Sequence, residues 1–123
     1  MSNLDIVHEG YAAFGRGDMQ TFMGLCDPAI EWVYWGAVPW AGLFRGHDEV
    51  MRFFGIIANT LEFEAFEPSQ FIVDGDNIAV LGRTAASVKG SGGRFDNNWA
   101  HVITMRGGKL VRYVGYDTSS IPH

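Results

Sequence analysis

The chain opens on a helical spacing of apolar residues. Leu4, Val7, Tyr11 and Phe14 recur at i, i+3, i+7 and i+10, which predicts an amphipathic helix. Ser2 or Asn3 is placed to cap it, and the Gly15/Gly17 pair to stop it. A second, short helix is predicted from Asp18 as its N-cap, with Met19, Phe22, Met23 and Cys26 on one side and Pro28 beyond its end. IEWVYW, Ile30 to Trp35, reads as a short aromatic strand. GAVPWAGLFRG reads as a loop that carries Trp40 and Phe44. HDEVMRFFGIIANTL is predicted as a third helix that buries Val50, Phe53, Phe54, Ile57 and Leu61.

From Glu62 onward the period changes to that of strands. Turn signals stand at Glu67-Pro68, Asp74 to Asn77, Gly90 to Gly93 and Gly107-Gly108. The arms between them are FIV, NIAVLGRTAASVK, RFDNNWAHVITM and KLVRYVGYD. Helices first and an antiparallel meander second is an α+β layout. No linker, repeat or low-complexity tract divides it, so residues 1–123 read as a single domain. Neither layer can bury itself alone, so the three helices are expected to cover one face of a curved sheet.

Composition narrows the function classes. Of 123 residues 47% are apolar, with nine Phe, four Trp and four Tyr. That fills one core and leaves aromatic side chains to line a cavity. The net charge of −5 comes with no run of Lys or Arg, so a nucleic-acid partner is not expected. No apolar run is long enough to span a bilayer. The start, MSNLDIVHEG, lacks the basic and apolar regions of a signal peptide, so a cytoplasmic location is expected. Cys26 is the single cysteine. His8, His47 and His123 have no i, i+4 partner, so a metal site is not expected. No phosphate-binding glycine loop is present, and the enzyme expected is a cofactor-free one.

Three segments carry a resemblance: YAAFGRGDMQTFMGLCDPAIEW near the start, GLFRGHDEVMRFF in the middle and WAHVITMRGGKLVRYVGYDTSSI at the end. Together they resemble the SnoaL-like branch of the nuclear-transport-factor-two-like (ketosteroid isomerase-like) superfamily, over roughly residues 4 to 121. The resemblance implies a cone: a strongly bent antiparallel sheet wrapped on three helices, with a pocket at the open end. It implies activities such as isomerase, polyketide cyclase, epoxide hydrolase or dehydratase, or non-catalytic binding and dimerising modules. It also implies a homodimer packed through the outer sheet face.

The last hairpin decides which side chains share the interior. Phe95, Asn97, Trp99, His101 and Ile103 alternate onto one face. A three-residue Arg106-Gly107-Gly108 loop would set His101 opposite Tyr113, Trp99 opposite Gly115 and Asn97 opposite Asp117. A two-residue Gly107-Gly108 turn would set His101 opposite Val114 and move Asp117 to the other face. The first is favoured because it agrees with the family likeness. On the other side, the Gly90–Gly93 turn is expected to put Gly82 beside His101, Thr84 beside Trp99 and Ala86 beside Asn97.

The family's polyketide cyclases carry a His on the first arm and an Asp on the second. His101 matches the first, but the matching acid position is Gly115. In the favoured register the Trp99 indole would displace a carboxylate there. Asp117, on the same face, is then either a relocated base or a structural partner of Asn97.

Proton transfer beside a carbonyl needs a base and a donor to the developing oxyanion. His101 and Asp117 are the candidate proton movers, with Tyr34 or Tyr113 as donor. Trp32, Trp40, Trp99, Asn97 and Phe54 are the candidate binding residues for a small apolar or polycyclic ligand. Each has a plainer reading as core or as a satisfied polar group. Catalyst, container and dimerising module all stay open. Arg94 and Asp96 read as a surface ion pair.

Overall fold

The computed structural model describes residues 1–118. His123 and the end of the last resemblance segment lie outside the described residues. Among the described residues no helix is long and apolar enough to cross a membrane.

Three helices precede most of the sheet. Helix α1 spans Asn3–Gly15, capped by a reciprocal Ser2/Asp5 box. Helix α2 spans Met19–Gly24, with the Asp18 side chain accepting from Thr21 N–H. Helix α3 spans Gly46–Thr60. The strands are β1 Cys26–Trp35, β2 Gly42–Arg45, β3 Leu61–Asp74, β4 Asn77–Val88, β5 Arg94–Arg106 and β6 Lys109–Asp117. They form one sheet in the order β2-β1-β6-β5-β4-β3, antiparallel except where β1 runs parallel to β6. The α+β class and the curved sheet carrying three helices are as the sequence predicts.

Several boundaries differ from that prediction. Cys26 starts β1 rather than ending α2, and Leu61 starts β3 rather than ending α3. The GAVPWAGLFRG loop contains β2, which pairs with β1 through Val33↔Leu43 and Trp32↔Phe44. Glu67-Pro68 is not a turn, because β3 runs through it with a register shift between Pro68 and Gln70. Strand β3 is the sheet edge, where a residue without an N–H is tolerated.

The final hairpin follows neither expected register. Gly107 and Gly108 have φ of 58° and 76°, the two positive values that a tight two-residue hairpin turn requires. Arg106 therefore pairs with Lys109 and Met105 with Leu110. By itself that turn would send Asp117 to the outer face. A bulge intervenes: Thr104 pairs with Arg112, leaving Val111 over. The extra residue restores the parity. His101 lies opposite Gly115 and Trp99 opposite Asp117, all four on the inner side of the sheet.

The β4–β5 pairing is also displaced by two residues from expectation, with Gly82 opposite Trp99, Thr84 opposite Asn97 and Ala86 opposite Phe95. A Cβ at Gly82 would lie 2.4 Å from Cζ2 of Trp99. The small residue makes room for the protein's own indole, whose N–H donates to Thr84 Oγ1 at 3.0 Å.

Candidate functional site

The sheet's inner rows set the site. One row runs Tyr34, Gly115, His101, Val80 across β1, β6, β5 and β4. The next runs Phe44, Trp32, Tyr113, Ile103 and Ile78 across β2, β1, β6, β5 and β4. Helices α1 and α3 close over these rows with Tyr11, Phe14, Phe53 and Phe54. Between them lies a half-open cavity of about 80 Å³, walled mostly by aromatic rings.

Trp32, Tyr34, Trp40, Phe54, Trp99, His101 and Tyr113 all line this cavity. Asn97 does not. It lines an external cleft of about 400 Å³ on the far side of Trp40 and Phe95, and its Oδ1 accepts from the Thr118 hydroxyl. The expected facing of Asn97 and Asp117 is thus corrected: Asp117 faces Trp99, because the two-residue turn and the bulge together move β6 along by two residues. Asp117 is buried, yet it is not among the cavity walls.

Besides the Trp99–Thr84 bond, two hydrogen-bonded pairs hold polar groups of the interior. The Tyr34 hydroxyl donates to Asp117 Oδ2 at 2.5 Å. The Tyr11 hydroxyl and His101 Nδ1 are 2.6 Å apart. Tyr11 comes from α1, ninety residues away in sequence, and was missed as a site residue because its spacing is fully explained by helix burial. The available signal was its hydroxyl, since a buried Tyr needs a polar partner. Tyr113 stacks on Trp32 with centroids 3.7 Å apart, and its hydroxyl has no hydrogen-bond partner among the described residues. The buried Trp32 Nε1–H is likewise unpartnered there.

Burial governs the protonation states. Loss of water from around the imidazolium pushes the His101 pKa down to about 3, so His101 is neutral at pH 7. Desolvation raises the pKa of all three phenols, Tyr11, Tyr34 and Tyr113. For Tyr34 the neighbouring Asp117 adds to the rise, through both its hydrogen bond and its charge, while a bond with Trp40 opposes it. A neutral His101 has two tautomers, and in the one where Tyr11 donates to Nδ1 the ring's N–H is at Nε2, available as a donor. In that tautomer His101 presents an N–H donor, and its lowered pKa makes it a weak base.

Gly115 is explained by tyrosines, not by Trp99. A Cβ there would lie 2.7 Å from the Tyr113 hydroxyl oxygen and 2.7 Å from Cδ2 of Tyr34. Two phenol side chains occupy the place where the cyclase acid would stand. Arg94 and Asp96 form an exposed ion pair at 2.8 Å, joined by Glu64, away from the cavity.

Comparison with known proteins gives one family: residues 7–113 match the SnoaL-like domain. An uncharacterised protein of Mycobacterium tuberculosis is 32% identical over 114 residues, covering 90% of this chain and 85% of its own. A crystal structure of an NTF2-like protein from Burkholderia xenovorans superposes with a TM-score of 0.86 at 30% identity, over 95% of this chain and 89% of that one. TerC, co-crystallised with polyporic acid, superposes with a TM-score of 0.81 at 25% identity, over 92% and 88% of the two chains.

Proposed function

The chain belongs to the SnoaL-like family, and from that premise we propose that it is a cofactor-free proton-transfer enzyme, of isomerase, cyclase or dehydratase type, acting on a small apolar ligand that bears a carbonyl oxygen. The observation that carries this reading is the Tyr34–Asp117 pair, a phenol–carboxylate hydrogen bond of 2.5 Å with the phenol on the cavity wall and the acid behind it. Because Asp117 does not line the cavity, it acts through Tyr34. Tyr34 Oη takes a proton from the ligand carbon while passing its own proton to Asp117, and the reverse transfer delivers a proton to the product. Charge then develops on the ligand oxygen. Neutral His101, with Tyr11 behind it, and Tyr113 are the donors to that oxygen, in a setting where removal of water strengthens each bond. Trp32, Trp40, Trp99 and Phe54 hold the rings. The likeness to TerC, crystallised with an organic acid, supports a small organic ligand.

A second reading is a container without turnover. It is favoured by Gly115 at the position of the cyclase acid and by a carboxylate shielded from the cavity.

Hydrogen–deuterium exchange at the carbon next to the carbonyl of bicyclic ketones such as tetralone, followed by NMR, separates the two. Exchange catalysed by the protein and abolished in both Tyr34→Phe and Asp117→Asn is the expected result. Binding of the ketone without exchange gives the container reading. Exchange that survives both substitutions removes Tyr34 and Asp117 from the mechanism.

The proposal includes a homodimer formed through the outer sheet face. One outer row crosses all six strands as Leu43, Val33, Val114, Val102, Ala79 and Ile72, and the next brings Trp35, Tyr116, Ala100 and Leu81 together. Polar rows flank this band, with Arg45, Glu31, Arg112 and Thr104 on one side and Asn98, Arg83 and Glu67 on the other. A continuous apolar band with a charged rim suits a second copy of itself.

A further inference from the structure

Three residues, Trp40, Leu61 and Phe95, line both the inner cavity and the outer cleft. Trp40 and Phe95 meet edge to face with centroids 5.1 Å apart. A cavity of about 150 Å³ takes up one benzene ring, and sites for larger ligands run from about 300 Å³ upward. The inner space, at about 80 Å³, holds less than one ring in this state. A bicyclic ligand therefore requires part of the wall to move.

The walls are unequal in this respect. Trp32, Trp99, His101 and Tyr113 are fixed by pairing in the middle of the sheet, and Tyr34 by Asp117. Trp40 alone among the indoles of the wall stands on a connection, between β1 and β2, where a side-chain bond to Tyr34 and the edge of Phe95 are what hold it. Gly36 and Gly42 bracket this segment with φ of 149° and 140°, values that other residues rarely adopt. Displacing Trp40 joins the cavity to the cleft of about 400 Å³ beyond it.

We propose that cavity and cleft are two halves of one ligand site, taking an elongated, uncharged molecule with a ring head inside and an oxygen-bearing tail in the cleft. Trp40 is the side chain that yields to admit the head. This rests on the reading of the interior as a ligand pocket, though not on turnover. The cleft's walls include Val38, Pro39, Leu61 and Val88, with Asn97 among its polar groups. The Asn97 carbonyl oxygen accepts from Thr118, and its NH₂ group donates to nothing among the described residues. Arg94, the cation among the described residues of the cleft, is held by Asp96 and Glu64. Among the described residues the cleft thus offers an amide donor and no uncompensated positive charge, which suits a hydroxyl, ether or carbonyl oxygen and disfavours a carboxylate or phosphate.

Stopped-flow fluorescence with prodan, a neutral naphthyl ketone, and with 6-dimethylamino-2-naphthoate, an anion on the same ring, tests this. Prodan is expected to bind the wild-type protein at least tenfold more tightly than the naphthoate. Trp40→Ala is expected to speed prodan association at least tenfold. Val88→Trp, which fills the cleft without touching the cavity, is expected to slow it at least tenfold. Association rates within twofold of wild type in both variants overturn the shared site, as does failure of prodan to bind any of the three proteins. Equal affinity for the two dyes overturns the uncharged ligand. Dye binding that behaves as expected, beside a protein that exchanges no ketone deuterium, leaves the two-part site standing and removes the proposed catalysis.

Discussion

A methyl carbon on Gly115 would approach the hydroxyl oxygen of Tyr113 to 2.7 Å, well inside van der Waals contact. Gly115 stands between Tyr34 and His101 in the same row of the sheet, so its bare backbone is what lets two phenols converge on one place. Gly115→Ala is therefore expected to destabilise the fold by about 1–3 kcal/mol, the usual cost of overpacking, read as a lower urea midpoint. Adding Tyr113→Phe should recover only part of the loss, since the Tyr34 ring lies equally close. Gly115→Asp should cost more than Gly115→Ala and raise no activity. A Gly115→Ala protein as stable as wild type would show that the two rings swing aside freely.

The Tyr34–Asp117 bond predicts a coupling that a pair of merely adjacent residues would not show. Hydrogen bonds to charged groups contribute about 1.5–3 kcal/mol. In a double-mutant cycle of Tyr34→Phe and Asp117→Ala, measured by chemical denaturation, the interaction energy is expected to be at least about 1 kcal/mol. Each single substitution should be destabilising, because it leaves a buried polar group short of one hydrogen bond. Additive costs would mean that the pair is not formed in solution.

The order of elements, the strand alternation and the family were legible in the chain because each rests on local period or on short motifs. Leu4, Val7, Tyr11 and Phe14 mark α1 by spacing, and the Trp99–His101–Ile103 alternation marks the inner face of β5. Register was not legible. The tight turn at Gly107-Gly108 and the extra residue at Val111 each shift pairing by one, and their sum restores the face on which Asp117 lies while changing its partner. No residue type announces such a bulge. The Tyr11–His101 pair was hidden for another reason: it joins a helix to a strand across the whole chain, and only packing brings the two together. The strand through Pro68 is not legible in the sequence, because proline signals a turn except at a sheet edge, and edges are a property of topology rather than of local sequence.

The buried imidazole sets an acid limit on stability. Its folded pKa of about 3 lies below the ordinary value of 6.5. Between these values the unfolded chain binds a proton at His101 and the folded chain does not, so stability falls as pH falls through this window. The slope from this one group approaches about 1.4 kcal/mol per pH unit. His101→Phe should flatten the acid limb of the stability curve between pH 6 and pH 4 relative to wild type, in urea titrations at stepped pH. Parallel curves for the two proteins would place His101 in contact with water, contrary to its burial.

The outer face yields the last prediction. In a two-fold dimer each residue of one surface meets the same surface turned round, so a substitution near the axis acts twice. Val102 is at the middle of the six-strand apolar row, flanked by Val114 and Ala79, and is 38% exposed in the single chain. Val102→Glu therefore places a carboxylate where a solitary protomer would tolerate it but a paired one would have to bury it, beside its symmetry mate. Burying unpaired charges costs more than the apolar band returns at that point. Sedimentation equilibrium is expected to show a dimer for wild type and a monomer for Val102→Glu, with unchanged far-ultraviolet circular dichroism. Thr104→Lys, two residues along in the polar rim, should leave the dimer intact. A wild-type monomer, or a dimer indifferent to Val102→Glu, would leave the band uncovered and the interface elsewhere. The contrast between the two positions carries the test, because both lie on the same strand and the same face, and differ in whether the row they occupy is apolar.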